Sequence, residues 1–330
     1  MNKITENKYT NEDLKIMQAW SLERKIQVTQ TKIIEWYQRF DGNVYVSFSG
    51  GKDSTVLLNL ARRIYPNILA VYVDTGLEYP EIRDFVKSID NVKWLYPQKY
   101  DRKTKEYKRY NFKDVILDHG YPIISKEVSN TINGARNNKD SVRYKKLNGT
   151  LLDNDGNKSI FNCEKYKYLL NAPFNCSDQC CNIMKKNPSS RFDKESGFKP
   201  ILGLMASESK KRKRDYLKTG CNAFNKGKPQ SQPMGFWTEQ DILTYLKEFD
   251  VPYSKIYGNI IKEDSGKLTT TGEKRTGCMF CGYGCHLEKE PNRFQRMKIT
   301  HPKQYEYCMK SVEDGGLGIG DVLDYIGVKY

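Results

Sequence analysis

The hexapeptide Ser49-Gly50-Gly51-Lys52-Asp53-Ser54 constrains this chain more than any other stretch, because of where it falls. It comes after a turn at Asp41-Gly42-Asn43 and a short β-forming run, Val44-Tyr45-Val46-Ser47-Phe48. It opens a helical pattern from Asp53 to Ile64, with Val56, Leu57, Leu60 and Ala61 on one face. Two glycines let the backbone approach a ligand, and the free amides at a helix start make an anion site. Lys52 adds positive charge, and the hydroxyls of Ser49 and Ser54 add donors, with Ser47 just upstream. A Walker loop would need Gly at Val46 and Ser or Thr at Asp53, so this is a different phosphate loop.

The same strand-then-turn pattern recurs downstream. Ile68–Val73 is a continuous apolar run, the mark of a strand buried on both faces, and it stops at Asp74-Thr75-Gly76. A helix from about Pro80 to Ile89 and a strand over Val92–Tyr96 complete an alternation of strand and helix. That order predicts an α/β fold with a doubly wound parallel sheet, whose ligands sit beyond the carboxyl ends of the strands. Residues 10–40 read as an amino-terminal helix, and Thr238-Glu239-Gln240-Asp241 opens another, with Pro252 beyond its end. The stretches 99–109 and 137–168 are polar and basic without clear periodicity, and read as insertions or mobile loops. Three segments are expected: 1–40 helical, 41–235 a nucleotide-binding α/β domain, and 236–330 a helical region with a cysteine knuckle.

At 330 residues the chain is long enough for about two domains. No apolar run reaches the 18 or so residues of a membrane span, and the amino terminus lacks the apolar stretch of a signal peptide, so a cytoplasmic protein without membrane contact is expected. The net charge of +15 suits a polyanionic partner, although 40 of the 55 basic residues are Lys, a bias that an AT-rich genome also produces. Three histidines leave little for a mechanism built on several of them. Nine cysteines in such a chain point to metal or redox chemistry before disulfides. Cys176, Cys180 and Cys181 form one group and Cys278, Cys281 and Cys285 another, whereas Cys163, Cys221 and Cys308 stand apart.

The hexapeptide matches the pyrophosphate loop of the adenine nucleotide α-hydrolase-like, or PP-loop, superfamily. The resemblance implies a Rossmann-like sheet and cleavage of ATP between its α and β phosphates, with Lys52 and Asp53 catalytic and Asp53 contributing to a Mg²⁺ site. Asp74-Thr75-Gly76 resembles the segment that flanks the adenosine in the phosphoadenosine phosphosulfate (PAPS) reductase branch. Gly203, Glu208, Ser209 and Arg212 resemble that branch's phosphate-binding stretch G-x-R-x-x-E-S-x-x-R, except that Met205 stands where the first arginine belongs, with Lys210, Lys211, Lys213 or Arg214 as candidate substitutes. Cys180-Cys181 followed about 100 residues on by Cys278-x-x-Cys281 is similar to the pattern by which related reductases hold a 4Fe-4S cluster. Zinc is the alternative, and Cys176 or Cys285 compete with Cys180 as the fourth ligand.

Two departures separate the branches. Sulfonucleotide reductases commonly have a degenerate loop without the lysine, and they carry a nucleophilic cysteine in a Glu-Cys-Gly-Leu-His tail. Here the loop is intact and the tail, Asp321 to Tyr330, has no cysteine. The chain therefore resembles the ATP-cleaving, cluster-bearing sulfur-insertion proteins, closest in character to the component of DNA phosphorothioation systems. This implies a nucleic acid acceptor and a sulfur donor such as a cysteine desulfurase. A sulfonucleotide reductase releasing sulfite and a non-catalytic nucleotide sensor are the competing expectations. Cys308, in a helical Tyr305–Lys310 pattern, reads as a packing cysteine.

Overall fold

The computed structural model describes residues 7–224 and 227–330, so the amino-terminal stretch read for a signal peptide lies partly outside the described residues. The chain divides into two compact units. The first comprises the residues through Asp74, Glu78–Leu95 and Ser189–Thr276; the second comprises Thr75–Leu77, Tyr96–Pro188 and Gly277–Tyr330.

The first unit is an α/β fold around a six-stranded sheet in the order Val92–Leu95, Leu69–Val73, Val44–Ser47, Lys199–Leu202, Gln230–Ser231, Asn222–Ala223. Every pairing is parallel except the last. The chain runs outward from Val44–Ser47 through two strands on one side, then returns to lay Lys199–Leu202 on the other. Strand order therefore reverses at Val44–Ser47, which puts the hexapeptide at the switch point where such sheets bind ligands. Val46, Val56, Leu57, Leu60, Ala70 and Ile201 are buried here. Helix Lys52–Arg62 packs on the strand before it and on helices Leu22–Arg39 and Glu239–Glu248.

The expected single helix over 10–40 is two, Asn11–Gln18 and Leu22–Arg39, because Ser21 recaps the chain by accepting the Arg24 amide. The compact units also cut across the expected segments 1–40, 41–235 and 236–330. Buried Lys25 explains part of this: its ammonium meets Asp241 at 2.7 Å and the Gln18 carbonyl at 2.7 Å, while the Trp237 indole donates to Thr29 at 2.9 Å. The first forty residues and the Thr238 helix thus share a core with the sheet, and 137–168 goes with the carboxyl-terminal helices.

In the second unit, Ile123–Ile124 pairs in parallel with Gly282–Tyr283, and helices Lys126–Asn137, Arg293–Thr300, Pro302–Met309 and Ile319–Tyr325 bury Ile132, Phe294, Met297, Cys308 and Leu323. The stretch expected to be a loop at 99–109 is an antiparallel hairpin, Gln98–Asp101 with Glu106–Arg109, and Val142–Asn148 within 137–168 is a helix. Among the described residues, no helix is long and apolar enough to cross a membrane.

Candidate functional site

Gly51 caps helix Lys52–Arg62 with no side-chain hydrogen bond, so the loop's own hydroxyls and backbone set its shape. The Ser49 and Ser54 hydroxyls share a hydrogen bond of 3.0 Å; Ser54 Oγ accepts the Ser49 amide at 3.2 Å and donates to the Gly51 carbonyl at 2.9 Å. Gly50 sits at φ 72°, and a Cβ there would stand 2.7 Å from Val86 and 2.8 Å from Ile82, so no other residue fits without displacement. Gly203 also runs close to the loop: a Cβ there would come within 3.3 Å of the Asp53 carbonyl, a tight contact. Ser47 lies in register between Val71 and Leu202 at the strand's end.

Lys52 is only 4% exposed. Its ammonium donates to the Lys274 carbonyl at 2.8 Å and lies 3.2 Å from Glu239 and 3.8 Å from Asp53. Its amide donates to the Tyr257 hydroxyl at 3.1 Å, which in turn shares a 2.7 Å hydrogen bond with Thr276. Burial pushes that tyrosine up to about 12. Burial likewise raises the Asp53 carboxyl above the usual range; Lys52 opposes the shift, Glu239 adds to it, and Arg275 and Arg212 oppose it. Asp53 Oδ1 is buried without a hydrogen-bond partner. Mg²⁺ is usually held by one or two carboxylates together with substrate phosphates, and this oxygen, lacking a hydrogen bond and 3.8 Å from the Lys52 ammonium, fits that requirement.

Lys52, Asp53, Met205, Glu208, Glu239 and Arg275 line a cavity of about 220 Å³. Glu208 accepts the Met205 amide at 2.9 Å and pairs with Arg212, while the Ser209 hydroxyl caps helix Lys210–Thr219 by accepting the Arg212 amide at 3.2 Å. Burial, then the charge of Arg275, makes Arg212 easier to deprotonate than a free guanidinium. Met205 faces the cavity as the sequence comparison with G-x-R implied, but none of Lys210, Lys211, Lys213 or Arg214 lines it. Arg275 does. Nothing local in the sequence marks this residue; only the fold brings it to the loop.

Asp74 is buried and its carboxylate meets Arg83 at 2.8 Å within the first unit. Thr75 and Gly76 belong to the second unit, where the Thr75 hydroxyl accepts the Leu77 amide at 3.1 Å.

The second unit gathers the cysteines. Cys180 and Cys181 lead into a π-helical stretch, Asn182–Lys186, a local form frequent at functional sites. Two residues after Cys281, the Tyr283 hydroxyl donates to the Ser177 carbonyl at 2.8 Å, three residues before Cys180. Gly282 permits the close pairing of its strand with Ile123, since a Cβ there would stand 2.9 Å from the Pro122 carbonyl. Burial raises the Cys180 thiol strongly, and Cys278, Cys181 and Cys281 raise it further, so the four feel one another's charge. Cys176 is raised by burial, opposed by Arg136, and the Cys285 thiol donates to the Gly282 carbonyl at 3.1 Å. The set Cys180, Cys181, Cys278 and Cys281 fits a four-thiolate group in donor chemistry and convergence. Among the described residues, however, no three His, Cys, Asp or Glu side chains stand close enough together to hold a single metal ion. Cys308, completely buried, has its thiol raised by burial alone.

The family model for the phosphoadenosine phosphosulfate reductase domain matches residues 43–122 and 124–282. A Staphylococcus epidermidis protein named adenosine 5'-phosphosulfate reductase is 26% identical over 232 residues, 68% of this chain and 70% of its own length. An uncharacterised Methanocaldococcus jannaschii protein is 22% identical over 304 residues, 91% of this chain and 56% of that protein. Among solved structures, a phosphoadenylyl-sulfate reductase from Candida auris aligns at a TM-score of 0.39 and 15% identity, over 76% of this chain and 92% of that one. A U34-tRNA thiolase from Methanococcus maripaludis, solved with its 4Fe-4S cluster, aligns at 0.35 and 16%, over 71% and 67%.

Proposed function

The chain belongs to the phosphoadenosine phosphosulfate reductase domain family, and within that family we propose that it binds ATP and cleaves it to AMP and pyrophosphate, activating a nucleic acid for sulfur insertion. The observation that carries the reading is the intact loop with Lys52 buried at the opening of its helix, its ammonium turned to the cavity that Asp53 and Arg275 line. An acceptor oxygen attacks the α-phosphorus, the bond to the bridging oxygen of the β-phosphate breaks, and pyrophosphate leaves. The loop amides, Lys52, Arg212 and Arg275 hold the leaving group and balance its growing charge. Glu239 and the Lys274 carbonyl give up the Lys52 ammonium when the anion enters. Mg²⁺ at Asp53 would offset charge on the transferring phosphate.

Cys180, Cys181, Cys278 and Cys281 would hold a 4Fe-4S cluster, which supports the fold or hands on sulfur from a donor protein such as a cysteine desulfurase. Four thiolates around one zinc stand about 3.8 Å apart, from bonds of about 2.3 Å. Zinc, which four thiolates also suit, is the alternative that metal analysis decides. Mass spectrometry of nucleosides and DNA from cells with and without the gene tests the acceptor: a sulfur-containing nucleotide lost with the gene is expected, and identical profiles count against it.

The similarity to an adenosine 5'-phosphosulfate reductase favours a second reading, reduction of a sulfonucleotide with release of sulfite. It needs an accessible thiolate of lowered pKa; Cys308, the candidate the sequence favours, is buried with its thiol raised, and burial also raises the half-exposed Cys163 thiol. Thioredoxin-dependent sulfite release at a catalytic rate would establish this reading in place of the first.

A further inference from the structure

The hairpin Gln98–Asp101/Glu106–Arg109 is the feature of the second unit that the proposed chemistry leaves unused. Its twelve residues carry six basic and two acidic side chains, and all but Asp101 are exposed. Such a charge on a protruding two-stranded ribbon has to be accounted for, and the contacts divide it into two parts.

The root is held by its own cations. Lys99 meets Asp118 at 2.6 Å, and the Tyr110 hydroxyl donates to the same carboxylate at 2.6 Å. Lys108 meets Asp101 at 2.7 Å across the strands, and the Arg109 guanidinium lies 3.8 Å over the Tyr96 ring. The tip is different. Asp101 Oδ1 accepts the Lys103 amide at 2.9 Å, which fixes the turn, yet no ion pair among the described residues engages Arg102, Lys103 or Lys105. Lys105 moreover adopts φ 56°, a left-handed conformation that glycine takes without strain. A lysine at that position carries charge at a conformational cost. Beside the tip, Tyr100 and Tyr107 face each other directly across the strands, 48% and 53% exposed, with ring centroids 5.1 Å apart.

We propose that this hairpin docks a single-stranded segment of nucleic acid, with Arg102, Lys103 and Lys105 gripping phosphates and Tyr100 offering its ring to a base. Charge complementarity selects a polyanion, and an exposed aromatic pair beside the free cations selects a strand with unstacked bases over an acidic protein surface. The ion-paired root keeps the strands in register so that cations and rings stay on one rigid platform. The inference deepens the proposed function and rests on its nucleic acid acceptor.

The test is fluorescence anisotropy of the full-length protein with labelled single strands of twenty thymidylates or twenty uridylates across a salt series. The triple substitution Arg102→Glu, Lys103→Glu, Lys105→Glu is expected to weaken binding at least tenfold. It should also flatten the dependence of log affinity on log salt by about 2, the value for three phosphate contacts at roughly 0.7 each. Tyr100→Ala is expected to lose about tenfold and Tyr100→Phe to retain affinity, because stacking needs the ring and not the hydroxyl. Circular dichroism and ATP binding, both unchanged, show that the variants are folded. Wild type and variants binding equally would overturn the hairpin while leaving the acceptor intact. Wild-type protein that binds neither single strands nor duplex at low salt would overturn the nucleic acid acceptor itself, and the hairpin's role with it.

Discussion

Arg275→Ala is the substitution on which the cavity's electrostatics can be judged. Three carboxylates and two cations, Lys52 and Arg275, line the cavity, with Arg212 paired to Glu208 at its edge; Lys52 is engaged by Glu239 and Asp53. No ion pair among the described residues engages Arg275, so it meets an incoming phosphate without first leaving a partner. A hydrogen bond to a charged group contributes about 1.5–3 kcal/mol, which is roughly 10- to 150-fold in affinity. Removing Arg275 also relieves Arg212 of the charge that, after burial, most opposes its ionisation. The loss should therefore fall near the lower limit, about tenfold in pyrophosphate affinity by titration calorimetry. Arg275→Lys should recover part of it. Placing arginine at the cavity-lining position 205, as Met205→Arg in the Arg275→Ala background, should recover more, because the cation returns to the same space. Unchanged pyrophosphate affinity in Arg275→Ala, under conditions where Lys52→Ala abolishes binding, would refute the assignment of Arg275 to the missing arginine's role.

Gly50→Ala should destabilise the first unit by about 2–4 kcal/mol and lower pyrophosphate affinity, since strain at φ 72° adds to a Cβ pressed against Val86 and Ile82; equilibrium denaturation reads the first effect and calorimetry the second. Protein prepared without oxygen should contain about four irons per chain by metal analysis, dropping on Cys278→Ser, whereas stoichiometric zinc without iron would make the site a zinc site. Burial raises the Glu288 carboxyl, but its hydrogen bonds from Arg293 and that residue's charge hold it below the usual range. Its stabilising contribution is therefore full above the unfolded value of about 4.3 and is lost as pH falls through the folded one. Glu288→Gln should flatten that acid-side decline in denaturant melts, and because Arg293 also donates to the Cys281 carbonyl at 2.9 Å, the same variant should lower the iron content expected at the proposed cysteine site.

The strands around the loop were legible because burial on both faces writes itself as continuous apolar sequence, as at Ile68–Val73. The return strand Lys199–Leu202 carries no such signal: four residues including a proline become a strand because they pair beside Val44–Ser47. The 98–109 hairpin reads as a loop for a similar reason. Its order comes from pairs across the strands, Tyr100 with Tyr107 and Lys108 with Asp101, not from a buried face with period two. Motif spacing exposed the hexapeptide and both cysteine pairs, yet Arg275, Glu239 and Tyr257 reach the loop only through long-range packing, each from a different local context. The division into units escaped linear reading altogether, since it depends on contacts such as Lys25 with Asp241, 216 positions apart.

The measurement that bears most directly on the central claim is product analysis of ATP turnover by the purified protein, with and without single-stranded nucleic acid. AMP and pyrophosphate in equal amounts, abolished by Lys52→Ala, are the expected result. ADP and phosphate with no AMP under any acceptor condition would contradict cleavage between the α and β phosphates.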